Sequence, residues 1–349
     1  MRLLDHIAQS RVPLLVRRAG ALWRLPSACD FAADISRCPL RYVLTDELLR
    51  LCVELAYSEG DKLAGCLDLV RFPAEQLWIE WSDPVKSTEI TRLVPQYTRQ
   101  ADSPNLRSGV LIAARPGSAR AFRACRLHTF WMSRADPANP VVAAVETHID
   151  LDRGVTCRPV EAFLDGGMVA VREPADACVD AVLQYAGFRL HPAWQRYCGS
   201  AVRGPERAGV ISACLGGVTF DVPIILALLL LLELKAGLRQ LPVQRARLNA
   251  KRMHLHKPPL LEHIEVACPV LPMAGSPAGA HTADTPVREA PRFHHVRGHL
   301  VRRADAVFWR RPHWRGHLRL GCVRSRTVEL RPPAFTPAET AAGGPGTAG

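Results

Sequence analysis

Two hexapeptides eighteen residues apart, His295-Val296-Arg297-Gly298-His299-Leu300 and His313-Trp314-Arg315-Gly316-His317-Leu318, agree at five of six positions. Imidazole, guanidinium and glycine recur at one spacing, so the chemistry open to one copy is open to the other. Alternate residues of a strand share a face. The sequence therefore predicts that His295, Arg297 and His299 project together, as do His313, Arg315 and His317. Arg302-Arg303-Ala304-Asp305-Ala306 suits a turn and Val307-Phe308-Trp309 a strand, which would set the copies on neighbouring antiparallel strands. Gly298 and Gly316, lacking a Cβ, permit close backbone approach or a bulge.

Three chemistries suit such a face. In nucleic-acid binding, Arg297, Arg310, Arg311 and Arg315 would pair with phosphates while Trp309 and Trp314 stack on unpaired bases. RNA or single strands fit better than duplex DNA, because the stretch offers no recognition helix. In metal binding, two His-x3-His pairs would supply imidazoles, but that spacing belongs to helices and the surrounding positive charge opposes a cation. In proton transfer, His299 or His317 has the right ordinary pKa, without a carboxylate or nucleophile beside it in sequence. A hairpin whose histidines and arginines bond only to backbone and acidic neighbours is the bland alternative. The binding set is thus His295, Arg297, Gly298, His299, Trp309, Arg310, Arg311, His313, Trp314, Arg315, Gly316 and His317, with no catalytic residue, metal ligand or cofactor assigned.

Charge distribution favours a binding role. Between Arg292 and Arg331 eleven arginines stand against Asp305 and Glu329, a net of +9 out of the chain's +12. The other residues carry 34 basic and 31 acidic side chains and are close to neutral. Positive charge gathered this way is the footprint of a polyanion or acidic partner. Asp150 and Asp152 offer a D-x-D pair after a strand, more often a strand end than a cation site. Phosphate loops, nucleophile elbows, zinc-protease helices and dinucleotide fingerprints are absent from the sequence, so catalysis has no positive support.

The elements that must position these residues follow from periodicity. The first seventy residues look helical, with Thr45 capping a helix on which Leu48, Leu49, Cys52, Leu55 and Ala56 recur. From Leu77 the period changes to that of strands: Leu77–Trp81, Val110–Ala114, Cys125–Met132 and Val141–Ile149. Asp165-Gly166-Gly167 suits the turn of a further hairpin. Ala177–Tyr185 and Val222–Leu238 read as helices, the second apolar all round and hence central. A basic segment, Arg245–Lys257, precedes a strand at His263–Ala267.

The expected fold class is α+β, a mostly antiparallel sheet with packed helices followed by a basic C-terminal β-hairpin module. Its parts would be a body over 1–268, a linker over 269–291, the basic His/Arg-rich β module over 292–331 and a disordered tail over 332–349. The apolar run Ile224–Leu232 falls short of the roughly 20 residues that span a bilayer, so no membrane association is expected. The 11 cysteines are scattered singly, without a C-x-x-C pair, and the N-terminus lacks a secretory signal, which together suggest reduced thiols in a cytoplasmic protein.

Arg311-Pro312-His313-Trp314-Arg315-Gly316-His317, with His295-Val296-Arg297-Gly298-His299, resembles the R-P-H-x-R-R-G-H-W type of C-terminal motif in phage and prophage proteins related to a type V-A anti-CRISPR inhibitor. The order of elements is also similar: an aromatic strand near Leu77–Trp81, a late leucine-rich helix, a basic segment and the His/Arg tail. The specific match covers about thirty residues. Both copies here have a single arginine before glycine, and Leu300 and Leu318 stand where the family has tryptophan. The resemblance implies a phage or prophage accessory protein that suppresses a CRISPR effector by binding, at the level of its synthesis, with RNA or a ribonucleoprotein as partner. A zinc- or histidine-dependent nuclease and a structural prophage protein with a basic docking tail are the competing readings.

Overall fold

The computed structural model describes residues 1–18, 20–96, 103–115, 123–172, 177–202, 204, 206–233, 238–268, 292–296, 299–303, 306–310, 313–315 and 317–322. The expected linker over 269–291 and tail over 332–349 lie outside them. The chain divides into two compact units, Met1–Pro277 with His299–Arg310, and Ala278–Gly298 with Arg311–Gly349. The basic stretch from Arg292 is therefore shared between both.

The first unit is α+β. It begins with α1 (Leu3–Gln9), the hairpin β1 (Leu14–Arg18) and β2 (Ala21–Leu25), α2 (Ala28–Arg37), β3 (Leu40–Leu44), α3 (Asp46–Ser58) and α4 (Gly60–Ala64). Next come β4 (Gln76–Ser82), α5 (Asp83–Leu93), β5 (Asn105–Arg115), β6 (Ala124–Ser133), β7 (Val141–Asp150), α6 (Ala177–Leu183) and β8 (Ala186–Leu190). The helices α7 (Pro192–Ala201), α8 (Glu206–Thr219) and α9 (Asp221–Glu233), then β9 (Arg239–Val243), α10 (Ala246–His254) and β10 (His263–Ala267), complete the series.

One eight-stranded sheet organises these elements in the order β8-β7-β6-β5-β4-β3-β10-β9. β3 runs parallel to both β4 and β10, while the remaining neighbours are antiparallel. The sheet is therefore mixed, where the sequence predicts a mostly antiparallel one. Connections explain the difference: α3 and α4 carry the chain from β3 back to the same edge, as a parallel pair requires. Residue periodicity reports which face a side chain occupies and is silent on strand direction.

Both faces of the sheet are covered. Leu77, Ile79 and Trp81 of β4 belong to a core shared with α3, α6 and α9, while Trp78 packs on the other side with Leu3, Leu4 and Ile7 of α1 and Ile35 of α2. α9 is buried from Asp221 to Leu231, as an all-apolar helix demands. Each of its fully buried leucines contributes about 1.5–3 kcal/mol. Taken together, Glu206–Glu233 is 28 residues whose most apolar 18-residue window has mean hydropathy 2.3, long and apolar enough to cross a membrane, and 83% of that window is buried within the fold.

The expected strands at Leu77, Val110, Cys125, Val141 and His263 appear as β4, β5, β6, β7 and β10, and Thr45 caps α3 by accepting from the Leu48 N–H at 3.4 Å. Other expectations need correction. The first seventy residues include the β1–β2 hairpin and β3 among their helices. Asp165-Gly166-Gly167 closes a short 3-10 segment, Val160–Asp165, with Gly166 at φ 81° as its C-cap, instead of turning a hairpin. Glycine's left-handed freedom serves both geometries, so the sequence could not separate them.

β11 (Arg292–Val296) belongs to the second unit, whereas the hairpin β12 (His299–Arg303) and β13 (Ala306–Arg310) belongs to the first. The second unit adds β14 (His313–Arg315) and β15 (His317–Cys322) in a three-stranded sheet ordered β14-β11-β15. β14 is antiparallel and β15 parallel to β11.

Candidate functional site

Each copy of the repeated motif is divided between two strands. The first contributes His295 to β11 and His299 and Leu300 to β12; the second contributes His313, Trp314 and Arg315 to β14 and His317 to β15. The copies meet across β11 and β14, where His294 lies opposite Arg315, His295 opposite Trp314 and Val296 opposite His313. Paired residues occupy one face of a sheet and alternate residues opposite faces. His295 and Trp314 thus hold positions on one face, while His294, His313 and Arg315 hold the other. His295 and His299, expected on a single strand, lie on β11 and β12. Arg297, Gly298, Arg311 and Gly316 lie outside the described residues.

The β12–β13 hairpin sets His299 opposite Arg310 and Leu300 opposite Trp309. Leu300 is buried in the core of the first unit, so the last position of the first copy is an anchor in place of a contact residue. Arg302 secures the hairpin through bonds to both Asp68 carboxylate oxygens, at 3.1 and 2.8 Å, and to the Gly65 carbonyl at 2.6 Å. Arg310 and Arg315 are exposed.

A second basic surface lies on the first unit. From Arg239 to Leu261 the chain carries six basic residues and no acidic one. The segment read from sequence only as basic is α10, none of whose residues is buried. Asn249 fixes the return of the chain, its amide donating to the Leu260 carbonyl at 2.9 Å and accepting from the Leu260 N–H at 2.8 Å. Arg252 caps the turn by donating to the Pro258 carbonyl. Arg247, Lys251 and His254 then project into solvent together with Met253 and Leu255.

Two interior polar clusters escape the sequence reading. On β7, Glu146 lies opposite His128 of β6 and Arg189 of β8, with His148 two residues further along the same face. Arg189 donates to Glu146 at 3.0 Å, and the Nε2 atoms of His148 and His191 stand 3.6 and 4.0 Å from its carboxylate. Burial opposes ionisation of Glu146, but His148, Arg189 and His128 prevail and hold its pKa down at about 2. Burial depresses His128 to about 4, and its ring packs against Phe31 at 4.8 Å. The carboxylate is engaged by Arg189 and His128 is buried and neutral at pH 7, so the cluster ties three strands together. Only cross-strand register could have revealed it. Among the described residues no group of three or more His, Cys, Asp or Glu side chains is arranged to hold a metal ion.

The second cluster joins α5 to α9. Lys86 bridges Asp83 at 2.8 Å and Asp221 at 2.9 Å, all three side chains being at least nine-tenths buried. Ser103 and Ser108 donate to the two oxygens of Asp83. Burial alone would depress Lys86, yet the two carboxylates hold it above its ordinary value and therefore protonated. A permanently charged lysine serves neither as nucleophile nor as base. Asp221, at the start of α9, thus spends its carboxylate on Lys86.

No protein-family model, curated protein or solved structure matches the chain.

Proposed function

We propose that this is a phage or prophage accessory protein, anti-CRISPR-like, that acts by binding RNA or a ribonucleoprotein through the basic C-terminal strands β11 to β15. The observation that carries the reading is the concentration of +9 of the chain's +12 charges between Arg292 and Arg331, on short strands that present Arg310 and Arg315 to solvent. Such strands offer guanidinium groups to phosphates, and Trp309 and Trp314 supply aromatic surface for unpaired bases. The exposed basic helix α10 adds a further polyanion surface. The motif resemblance supports a CRISPR effector or its nascent chain as the ultimate target, met in the bacterial cytoplasm. Binding is the whole activity in this reading; the buried ion pairs are structural.

Crosslinked pull-down of the full chain from host cells, with RNA and protein identified together, tests it. Specific RNA or a ribonucleoprotein is expected with the wild type and strongly reduced with Arg310→Ala/Arg315→Ala. Equal recovery by both proteins would refute the assignment to these strands. Protection of a phage in cells lacking a CRISPR system would contradict the anti-CRISPR part.

A further inference from the structure

A cavity of about 320 Å3 in the first unit is lined by Met1, Arg2, Asp5, Arg107, Arg245 and Leu260. Its arginines come from the start of the chain, from β5 and from the residue preceding α10. Two of the nearby carboxylates, Glu80 and Asp5, are already engaged. Glu80 accepts from the N–H groups of Leu3 and Leu4 at 3.1 Å each, from the Trp78 indole at 3.4 Å and from Arg107 Nε. Asp5 accepts from the N–H groups of Arg2 and Leu261.

Two guanidinium donors, by contrast, are unused: among the described residues Arg107 Nη2 and Arg245 Nε are buried atoms without a hydrogen-bond partner. His263, only 5% exposed, has its Nε2 atom buried and unpaired as well. Among the described residues the Arg2 and Arg245 side chains make no ion pair to any carboxylate. Burial and then Arg107 lower the pKa of Arg2, Glu80 and Glu265 oppose them, and Arg245 adds to the lowering. The cavity gathers three guanidinium groups against the carboxylates of Asp5 and Glu80 and so keeps a net positive charge, which an anion offsets.

We propose that this cavity binds a phosphate group, either as free phosphate or as a phosphomonoester. One guanidinium fork matches a carboxylate, whereas a phosphomonoester brings a charge near −2 and three terminal oxygens, enough for three converging arginines. The volume lies at the small end of ligand pockets and admits the phosphate with part of its ester group. His263 sits within electrostatic reach of Arg2 and Arg245 and hydrogen-bonds the Leu261 carbonyl through Nδ1 at 3.4 Å. A bound dianion would offset the arginines and favour its protonated form.

This inference stands apart from the C-terminal strands, so its failure and theirs are separable. Calorimetric titration of the full chain with inorganic phosphate, at constant ionic strength, should give saturable one-to-one binding. Arg245→Gln should weaken it at least about tenfold with the fold unchanged by circular dichroism, while Arg310→Ala/Arg315→Ala leaves it intact. An upward shift of the His263 pKa on adding phosphate, read by NMR, is the second expected signature. Competition by a 5′-phosphorylated but not a 5′-hydroxyl oligoribonucleotide assigns the group to an RNA end, and competition by phenyl phosphate alone to a small ester; both uphold the site. Absence of saturable phosphate binding by the wild type, or equal binding by Arg245→Gln, would overturn it.

Discussion

Replacing Lys86 by methionine removes the cation between two buried carboxylates. Lys86 Nζ stands 2.8 Å from Asp83 and 2.9 Å from Asp221. At an effective dielectric of about 20, each contact is worth about 6 kcal/mol in Coulomb energy. Burying the ammonium costs several kcal/mol in return, and loss of one partner from a buried pair usually destabilises by about 3–5 kcal/mol. That range is expected for Lys86→Met in urea unfolding at pH 7. The pH dependence gives the sharper test. Burial already pushes the Asp221 carboxyl up to about 6, with Lys86 pulling it down and Asp83 pushing it up. Without Lys86 it rises further. A carboxyl whose folded pKa is raised contributes stability that is complete below its unfolded value and lost as pH rises through the folded one. The variant should therefore recover part of its loss between pH 7 and pH 5. A loss under about 1 kcal/mol at pH 7, or a greater loss at pH 5, would refute the reasoning.

Two further substitutions probe the sheet. Burial holds His128 near pKa 4, so the unfolded chain takes up a proton that the folded one refuses. Its contribution is complete above about pH 6.5 and declines by about 1.4 kcal/mol per pH unit towards pH 4; His128→Phe should flatten that segment of the stability profile measured by denaturant unfolding. At Gly109, an added Cβ would stand 2.5 Å from Trp78 Cζ2, so Gly109→Ala should cost about 1–3 kcal/mol through displacement of the indole, read by thermal unfolding and near-ultraviolet circular dichroism.

The sequence was most legible where one-dimensional periodicity fixes the answer. Alternation marked Leu77, Ile79 and Trp81 as one face of β4, and the continuous apolar run marked α9 as central. Strand direction was hidden, because it depends on how helices such as α3 return the chain. α10 was visible only as charge: its neighbours cover no apolar stripe, so periodicity had nothing to report. The Glu146 and Lys86 clusters gather residues up to 135 positions apart, and no local spacing encodes them. The repeated motif was legible as a repeat, yet each copy contributes to two strands, and the pairing of β11 with β14 sets His295 opposite Trp314.

The central claim, that the basic strands contact a nucleic-acid backbone, is tested most directly by the salt dependence of binding to a single-stranded RNA, followed by fluorescence anisotropy. Four phosphate contacts, from Arg297, Arg310, Arg311 and Arg315, give a log–log slope of about −3 at about 0.7 per single-strand phosphate. Arg310→Ala/Arg315→Ala should flatten it by about 1.4 and weaken binding across sequences alike. A slope near zero, or an unchanged slope in the double variant, would contradict the account.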